Sequence, residues 1–221
     1  MSKKNSSDYG TNRNYEFYIK YERPEESAKD PLVFYTDSVV KEYASSKAIM
    51  AIQEKITKRA LEITQMSPPA QVLDLGAGCG FAGLYLFLKK YRVVGIDICR
   101  PFLTYYQMPD INLLESDMRS LGFRDSRFDL IISISAVQWI LAEEIEKRRK
   151  KWLQNLASNC AKLLSDEGQL IFQFYPKSDE KMHELGSAFN QTGKFSGGFI
   201  IDNPDSPKKR RIFLHLYKKG Q

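Results

Sequence analysis

Three aspartates and three glycines carry the chemistry available to this sequence. Asp74 precedes a glycine run, "LDLGAGCG", in which Gly76, Gly78 and Gly80 stand at alternate positions. Glycine at such places permits positive φ and lets a ligand approach the backbone closely. Asp97 ends the next apolar run, where a carboxylate accepts hydrogen bonds from ribose hydroxyls. Asp117 ends a third run in "ESDM". A carboxylate there can accept from an adenine amino group, with Met118 offering a backbone amide and an apolar wall. Asp74 lies inside its run, and a nearly buried carboxylate needs a partner. Loop amides or a cationic group on a ligand would supply one. The three acids and the glycine loop describe a site for an adenosine compound.

Other chemistries lack their residues. The sixth position of a G-x-G-x-x-G dinucleotide loop is Phe81, and no G-K-[ST] follows for a P-loop. The three cysteines, Cys79, Cys99 and Cys160, are isolated, so neither a zinc cluster nor a disulfide framework is expected. His183 and His215 lie in the C-terminal third and read as packing or surface residues.

These residues need elements to hold them. "QVLDL" (71–75), "YRVVGID" (91–97), "INLLES" (111–116), "RFDLIISIS" (127–135) and "GQLIFQFY" (168–175) read as strands, and "FAGLYLFLKK" as the helix after the glycine loop. Helices are expected over 39–63, 101–107, 143–164 and 178–190. "GGFIID" and "RIFLHLY" read as a closing hairpin, with Asn-Pro and Ser-Pro in its turn. Strands alternating with helices imply a parallel sheet covered on both faces. Residues 1–22 are polar and non-periodic and read as a disordered lead-in to one domain over 23–221, with a helical part at 36–66 and a core at 70–217.

The chain has 221 residues, 43% of them apolar, ample for one core. Its formal charge is +6, with basic clusters at Lys147–Lys151, Lys208–Arg211 and Lys218–Lys219, which suits a polyanionic partner. No run approaches the length of a membrane span and no secretory signal is visible, so a soluble, intracellular protein is expected.

D-x-G-x-G-x-G with acids after the second and third strands resembles the motif set of class I S-adenosylmethionine-dependent methyltransferases. The resemblance implies a Rossmann-like α/β/α sandwich around a seven-stranded sheet of order 3-2-1-4-5-7-6, strand seven antiparallel. It implies S-adenosyl-L-methionine as cofactor, held by Tyr43, Asp74, Gly76, Ala77, Gly78, Gly80, Asp97, Ile98, Asp117, Met118, Ser133 and Ser135. At the end of strand four, where enzymes methylating exocyclic amines carry [Asn/Asp]-Pro-Pro-aromatic, this chain has Ser133-Ile-Ser135-Ala136. Cytosine-C5 enzymes carry Pro-Cys, which is absent.

Longer stretches narrow the family. "FDLIISISAVQW", "QFYPKSDE" and "FSGGFIIDNPDSPKKRRIFLHL" are similar to the eukaryotic small-subunit rRNA guanine-N7 methyltransferases. The resemblance spans roughly residues 23 to 217 and implies methyl transfer to N7 of a guanine in small-subunit rRNA. No acid–base or nucleophilic catalytic residue and no metal is expected, because positioning suffices. Trp139, Phe174, Tyr175 and Pro176 are the candidates for the acceptor pocket, and Gln138 for a hydrogen bond to cofactor or acceptor. The family implies a small zinc-binding activator subunit, and the apolar edge strand 111–115 is where it is expected to pair. The expected location is nucleus, nucleolus and cytoplasm for a eukaryotic source, or cytoplasm for an archaeal one. The rival reading is a small-molecule methyltransferase acting on a carboxylate or other oxygen.

Overall fold

A computed structural model describes residues 22–105, 112–125 and 128–220. The lead-in segment 1–21, Ile111 of the third strand and Arg127 of the fourth lie outside the described residues.

Seven strands form one sheet: β1 (Gln71–Leu75), β2 (Arg92–Asp97), β3 (Asn112–Glu115), β4 (Phe128–Ile134), β5 (Leu164–Phe174), β6 (Phe195–Asp202) and β7 (Arg211–Lys218). Their order is 3-2-1-4-5-7-6, and β7 runs antiparallel to both β5 and β6. This is the expected class I arrangement.

Side chains alternate across each strand, so neighbouring apolar residues enter opposite layers. Val72, Leu130 and Ile132 face α4 (Lys47–Thr64) and α5 (Phe81–Leu88), meeting Ile56, Ala60 and Leu86. Leu73, Ile131 and Leu170 face α8 (Glu146–Leu163) and α9 (Asp179–Gln191), meeting Leu153, Leu156 and Phe189. Strands apolar on both faces therefore sit between two helical layers. Each fully buried leucine contributes about 2 kcal/mol of apolar burial.

Several boundaries differ from the sequence reading. The helix expected over 39–63 is two helices, α3 (Asp37–Ser45) and α4. Ser46 breaks them: it is extended and its hydroxyl accepts from the Ile49 amide at 3.3 Å, capping α4. The helix expected over 143–164 begins only at Glu146, after a short α7 (Gln138–Leu141). Leu164 already belongs to β5, which shifts register against β4 between the Phe128 and Leu130 pairs. Short helices α1 (Pro24–Ser27), α2 (Pro31–Phe34) and α6 (Arg100–Thr104) complete the set.

Candidate functional site

At the carboxyl end of β1 the chain turns through three left-handed glycines, with φ of 76°, 56° and 80° at Gly76, Gly78 and Gly80. Gly76 has a second reason to be glycine. A Cβ there would stand 2.3 Å from the Ala136 Cβ, on the turn after β4. Gly80 caps the amino end of α5. The loop is fastened to β2: the Gly76 and Ala77 amides both donate to the Ile96 carbonyl at 2.9 Å.

Asp97 shapes this loop as well as facing the cavity above it. One carboxylate oxygen accepts from the Gly78 amide and the other from the Cys99 amide, each at 2.8 Å. Burial pushes its carboxyl upward, against those amide bonds. Asp74 is only 1% exposed. Burial, then the nearby Asp97 charge, raise its carboxyl from 3.8 to about 7. One of its oxygens is buried with no partner among the described residues. An orphaned acceptor at a cavity wall is a place prepared for a donor from a ligand.

The cavity has a volume of about 590 Å³. Asp74, Gly76, Asp97, Ile98, Asp117 and Met118 line one side. Asp117 does not wait empty-handed. Its carboxylate accepts from the Arg119 guanidinium at 2.7–2.8 Å, and that guanidinium lies 4.2 Å over the Trp152 ring. The cavity also has an aromatic wall, of which the sequence reading had Tyr43 and Trp139 but not Tyr35, Phe81 or Phe102. Tyr35 lies 4.6 Å from Phe102 and 5.6 Å from Trp139, and Tyr43 stacks on Phe81 at 5.9 Å. Burial raises both tyrosine hydroxyls well above their ordinary range, so they stay protonated at neutral pH. Cys79 and Cys99 also line the cavity, and burial pushes each thiol up to about 12. They are therefore thiols rather than nucleophilic thiolates.

The segment carrying Tyr35 crosses the mouth and is tied on both sides. Arg23 donates to the Tyr175 carbonyl at 2.8 Å, Glu26 pairs with Lys177 at 3.3 Å, and Lys29 pairs with Glu144 at 2.8 Å.

A methyltransferase-domain family model matches residues 73–172. The 18S rRNA (guanine(1575)-N(7))-methyltransferase of Saccharomyces cerevisiae is 35% identical over 189 residues, 83% of this chain and 68% of that protein. The 18S rRNA (guanine-N(7))-methyltransferase of Arabidopsis thaliana is 34% identical over 88% of this chain and 69% of that protein. This chain belongs to the 18S rRNA guanine-N7 methyltransferase family. The fold is shared more widely: a phosphoethanolamine N-methyltransferase of Haemonchus contortus, solved with S-adenosyl-L-methionine, matches with a TM-score of 0.62 at 13% identity. That match covers 85% of this chain and 58% of that one.

In this methyltransferase, ten of the twelve cofactor residues selected from the sequence line the cavity: Tyr43, Asp74, Gly76, Ala77 and Gly78, then Asp97, Ile98, Asp117, Met118 and Ser135, while Gly80 stays outside as the cap of α5. Ala136 and Trp139 line it too. Ser133 does not. Its hydroxyl donates to the Leu75 carbonyl at 2.8 Å and ties β4 to β1 inside the sheet. Gln138 turns inward as well. Its amide nitrogen donates to the Ser135 carbonyl at 2.9 Å and holds the turn after β4. Ser135, at φ 57°, has its hydroxyl on Gln173 at 2.8 Å. Phe174 is fully buried in the core, Pro176 is buried, and Tyr175 lies beneath Arg23 at 5.0 Å. None of these three reaches the cavity wall, because β5 packs its end under α1 and β6.

His215 bonds Gln169 across β7 and β5 and does not line the cavity, and burial lowers its pKa. Among the described residues no group of three metal-ligating side chains occurs and no helix is long and apolar enough to cross a membrane.

Proposed function

We propose that this chain transfers a methyl group from S-adenosyl-L-methionine to N7 of a guanine in small-subunit rRNA, as a step of small-subunit assembly. The observation that carries the reading is the unpartnered Asp74 oxygen on a glycine cradle, in a chain that belongs to the guanine-N7 family.

The residues present fit the cofactor. A cationic ligand group would satisfy Asp74 and draw its carboxyl back toward its ordinary range. Gly78, with nothing within 4 Å of where a Cβ would stand, leaves backbone open to the ligand, and Asp97 keeps lone pairs for ribose hydroxyls beside the two amides it already holds. Met118 and Ile98 supply apolar walls, and Asp117 faces the adenine side with its charge balanced by Arg119. When bound, the cofactor supplies a methyl group activated by its sulfonium.

The chain's own residues have a limited task. Guanine N7 carries a lone pair and no proton at neutral pH, so no residue has to remove one. Orientation is what the site contributes, and alignment of this kind lowers a barrier by roughly 7–11 kcal/mol. Trp139 and Tyr35 wall the acceptor side, where an aromatic face can hold a splayed-out base. The tied segment Arg23–Tyr35 holds Tyr35 on the cavity wall.

The same reading assigns β3 as the docking edge for a small zinc-binding activator subunit. β3 pairs with β2 alone among the described strands, and Leu114 on it is 43% exposed. An open apolar edge invites strand addition. Leu114→Lys is expected to abolish co-purification with the activator; retained co-purification would contradict the assignment. Assembly of the small subunit implies the nucleolus, nucleus and cytoplasm of a eukaryotic cell, or the cytoplasm of an archaeal one.

Methyl transfer from labelled cofactor, with the activator present, tests the reading. Label is expected in small-subunit rRNA and, after digestion, in N7-methylguanosine. Label confined to small carboxylic acids would overturn it.

A further inference from the structure

We propose that the loop between β6 and β7, residues 203–210, is a phosphate-binding arm that holds the RNA strand leading to the acceptor guanine. This rests on the rRNA reading above and adds where the RNA backbone lies.

The topology supplies the first reason. β7 is antiparallel to β5, and Phe174 at the end of β5 faces Ile212 at the start of β7. β6 in turn pairs Asp202 with Arg211. The loop between them therefore emerges at the carboxyl end of the parallel strands. That is the end where Ser135, Ala136 and Trp139 line the cavity. Two strand spacings separate β4 from β7, roughly 10 Å. An RNA strand leaving the cavity meets this loop within one or two nucleotides.

The second reason is the loop's construction. Asn203 is left-handed, with φ 52°, and its side-chain amide donates to the Lys209 carbonyl at 3.2 Å. Arg210 Nε donates to the Pro204 carbonyl at 3.0 Å. At its base, Asp202 takes a bidentate pair from Arg59 of α4 at 2.8 and 3.0 Å. The loop is thus held in one shape from within and from below. A preformed loop loses little conformational freedom on binding.

Charge supplies the third reason. Lys208, Lys209, Arg210 and Arg211 follow one another, against one acid, Asp205, within the loop. Lys208 and Lys209 are exposed. Within the cluster at Lys147–Lys151, three of the five cations are engaged in the fold. Arg149 is buried on Glu184, and Arg148 and Lys150 pair with Glu143 and Glu146. Exposed lysines on a braced loop suit phosphates. Contacts of this kind position a nucleic acid without reading its bases.

The test is the double variant K208E/K209E in the full chain, titrated with a transcribed small-subunit rRNA fragment at several salt concentrations. The control is K89E/K90E, which makes the same charge change at the opposite end of the sheet, after α5. Loss of two phosphate contacts is expected to weaken binding roughly tenfold near physiological salt and make the log–log salt slope shallower by about 1.4. S-adenosylhomocysteine binding, measured in parallel, is expected to match the wild type in both variants, and the control is expected to bind RNA as the wild type does. Equal affinity and slope in K208E/K209E and wild type would overturn the arm and leave the rRNA reading intact. An equal loss in K89E/K90E would also overturn it, since net charge alone would explain the effect. A wild-type chain without salt-dependent RNA binding would overturn both.

Discussion

Asp74 is the residue whose state depends most on what fills the cavity. Its carboxyl is raised to about 7 in the ligand-free chain, first by burial and then by Asp97. A raised acid binds a proton in the folded state that the unfolded chain has already released. This group therefore lowers stability progressively as pH rises from 3.8 to about 7, and no further above that. Thermal unfolding of ligand-free protein between pH 5 and 8 is expected to show a falling midpoint, and Asp74→Asn a flatter profile. Equal slopes for the two would contradict the assignment. The acids and glycines were legible in the sequence because their chemistry is tied to a strand end. Ser133 and Gln138 were not. A serine or an amide near a strand end reads the same whether it turns to a ligand or closes a backbone gap, and here both close gaps. Tyr35 was invisible for another reason: it lies far from the glycine loop in the chain, and only the packing of α2 against the cavity brings it there.

The glycine loop and the turn after β4 form one unit, because Gly76 lies against Ala136 without room for a methyl group. Gly76→Ala adds both that overlap and a left-handed alanine, which together are expected to cost about 1–3 kcal/mol. A lowered denaturation midpoint checks this, and an unchanged midpoint would contradict it. The helix pair α8–α9 is joined by Arg149 and Glu184, side chains 5% and 11% exposed, bonded at 2.6 and 2.7 Å. Arg149 also donates to the Glu143 carbonyl at 2.6 Å, fixing the loop before α8 that lines the cavity. Glu184→Ala leaves a buried guanidinium without its partner and is expected to cost about 3–5 kcal/mol by chemical denaturation. Loss below 1 kcal/mol would contradict that role. Arg149 lowers the Glu184 carboxyl, so this stabilisation is present above the ordinary carboxylate pKa of 4.5 and disappears as pH falls through the lowered value. Elements were read well where period and composition changed together, as from β1 to α5. They were misread where the apolar period ran on through a break. Ser46 interrupts a helix whose spacing continues, and residues 143–145, expected as the start of α8, form a loop before it.

The whole molecule places its binding chemistry on one end of the sheet. The glycine loop, the aromatic wall and the β6–β7 loop all lie there, drawn from segments that run from Tyr35 to Arg210. The closing hairpin and the alternation before it were legible in the sequence, whereas the strand order came from the methyltransferase resemblance carried by Asp74, the glycine loop, Asp97 and Asp117. Which surfaces gather on that end follows from the connections and is not written in any local stretch. At this scale the chain methylates N7 of a guanine in small-subunit rRNA, using a cavity organised by Asp97. Without that carboxylate, two loop amides and the ribose site lose their acceptor, a loss of about 2–3 kcal/mol or roughly 30–150-fold in cofactor affinity. The most direct measurement maps N7-methylguanosine along small-subunit rRNA incubated with cofactor, activator and either the wild-type chain or Asp97→Ala. A single modified guanine with the wild type, and near-background modification with the variant at limiting cofactor, is the predicted result. The same modification level with both proteins, or none with the wild type, would contradict it.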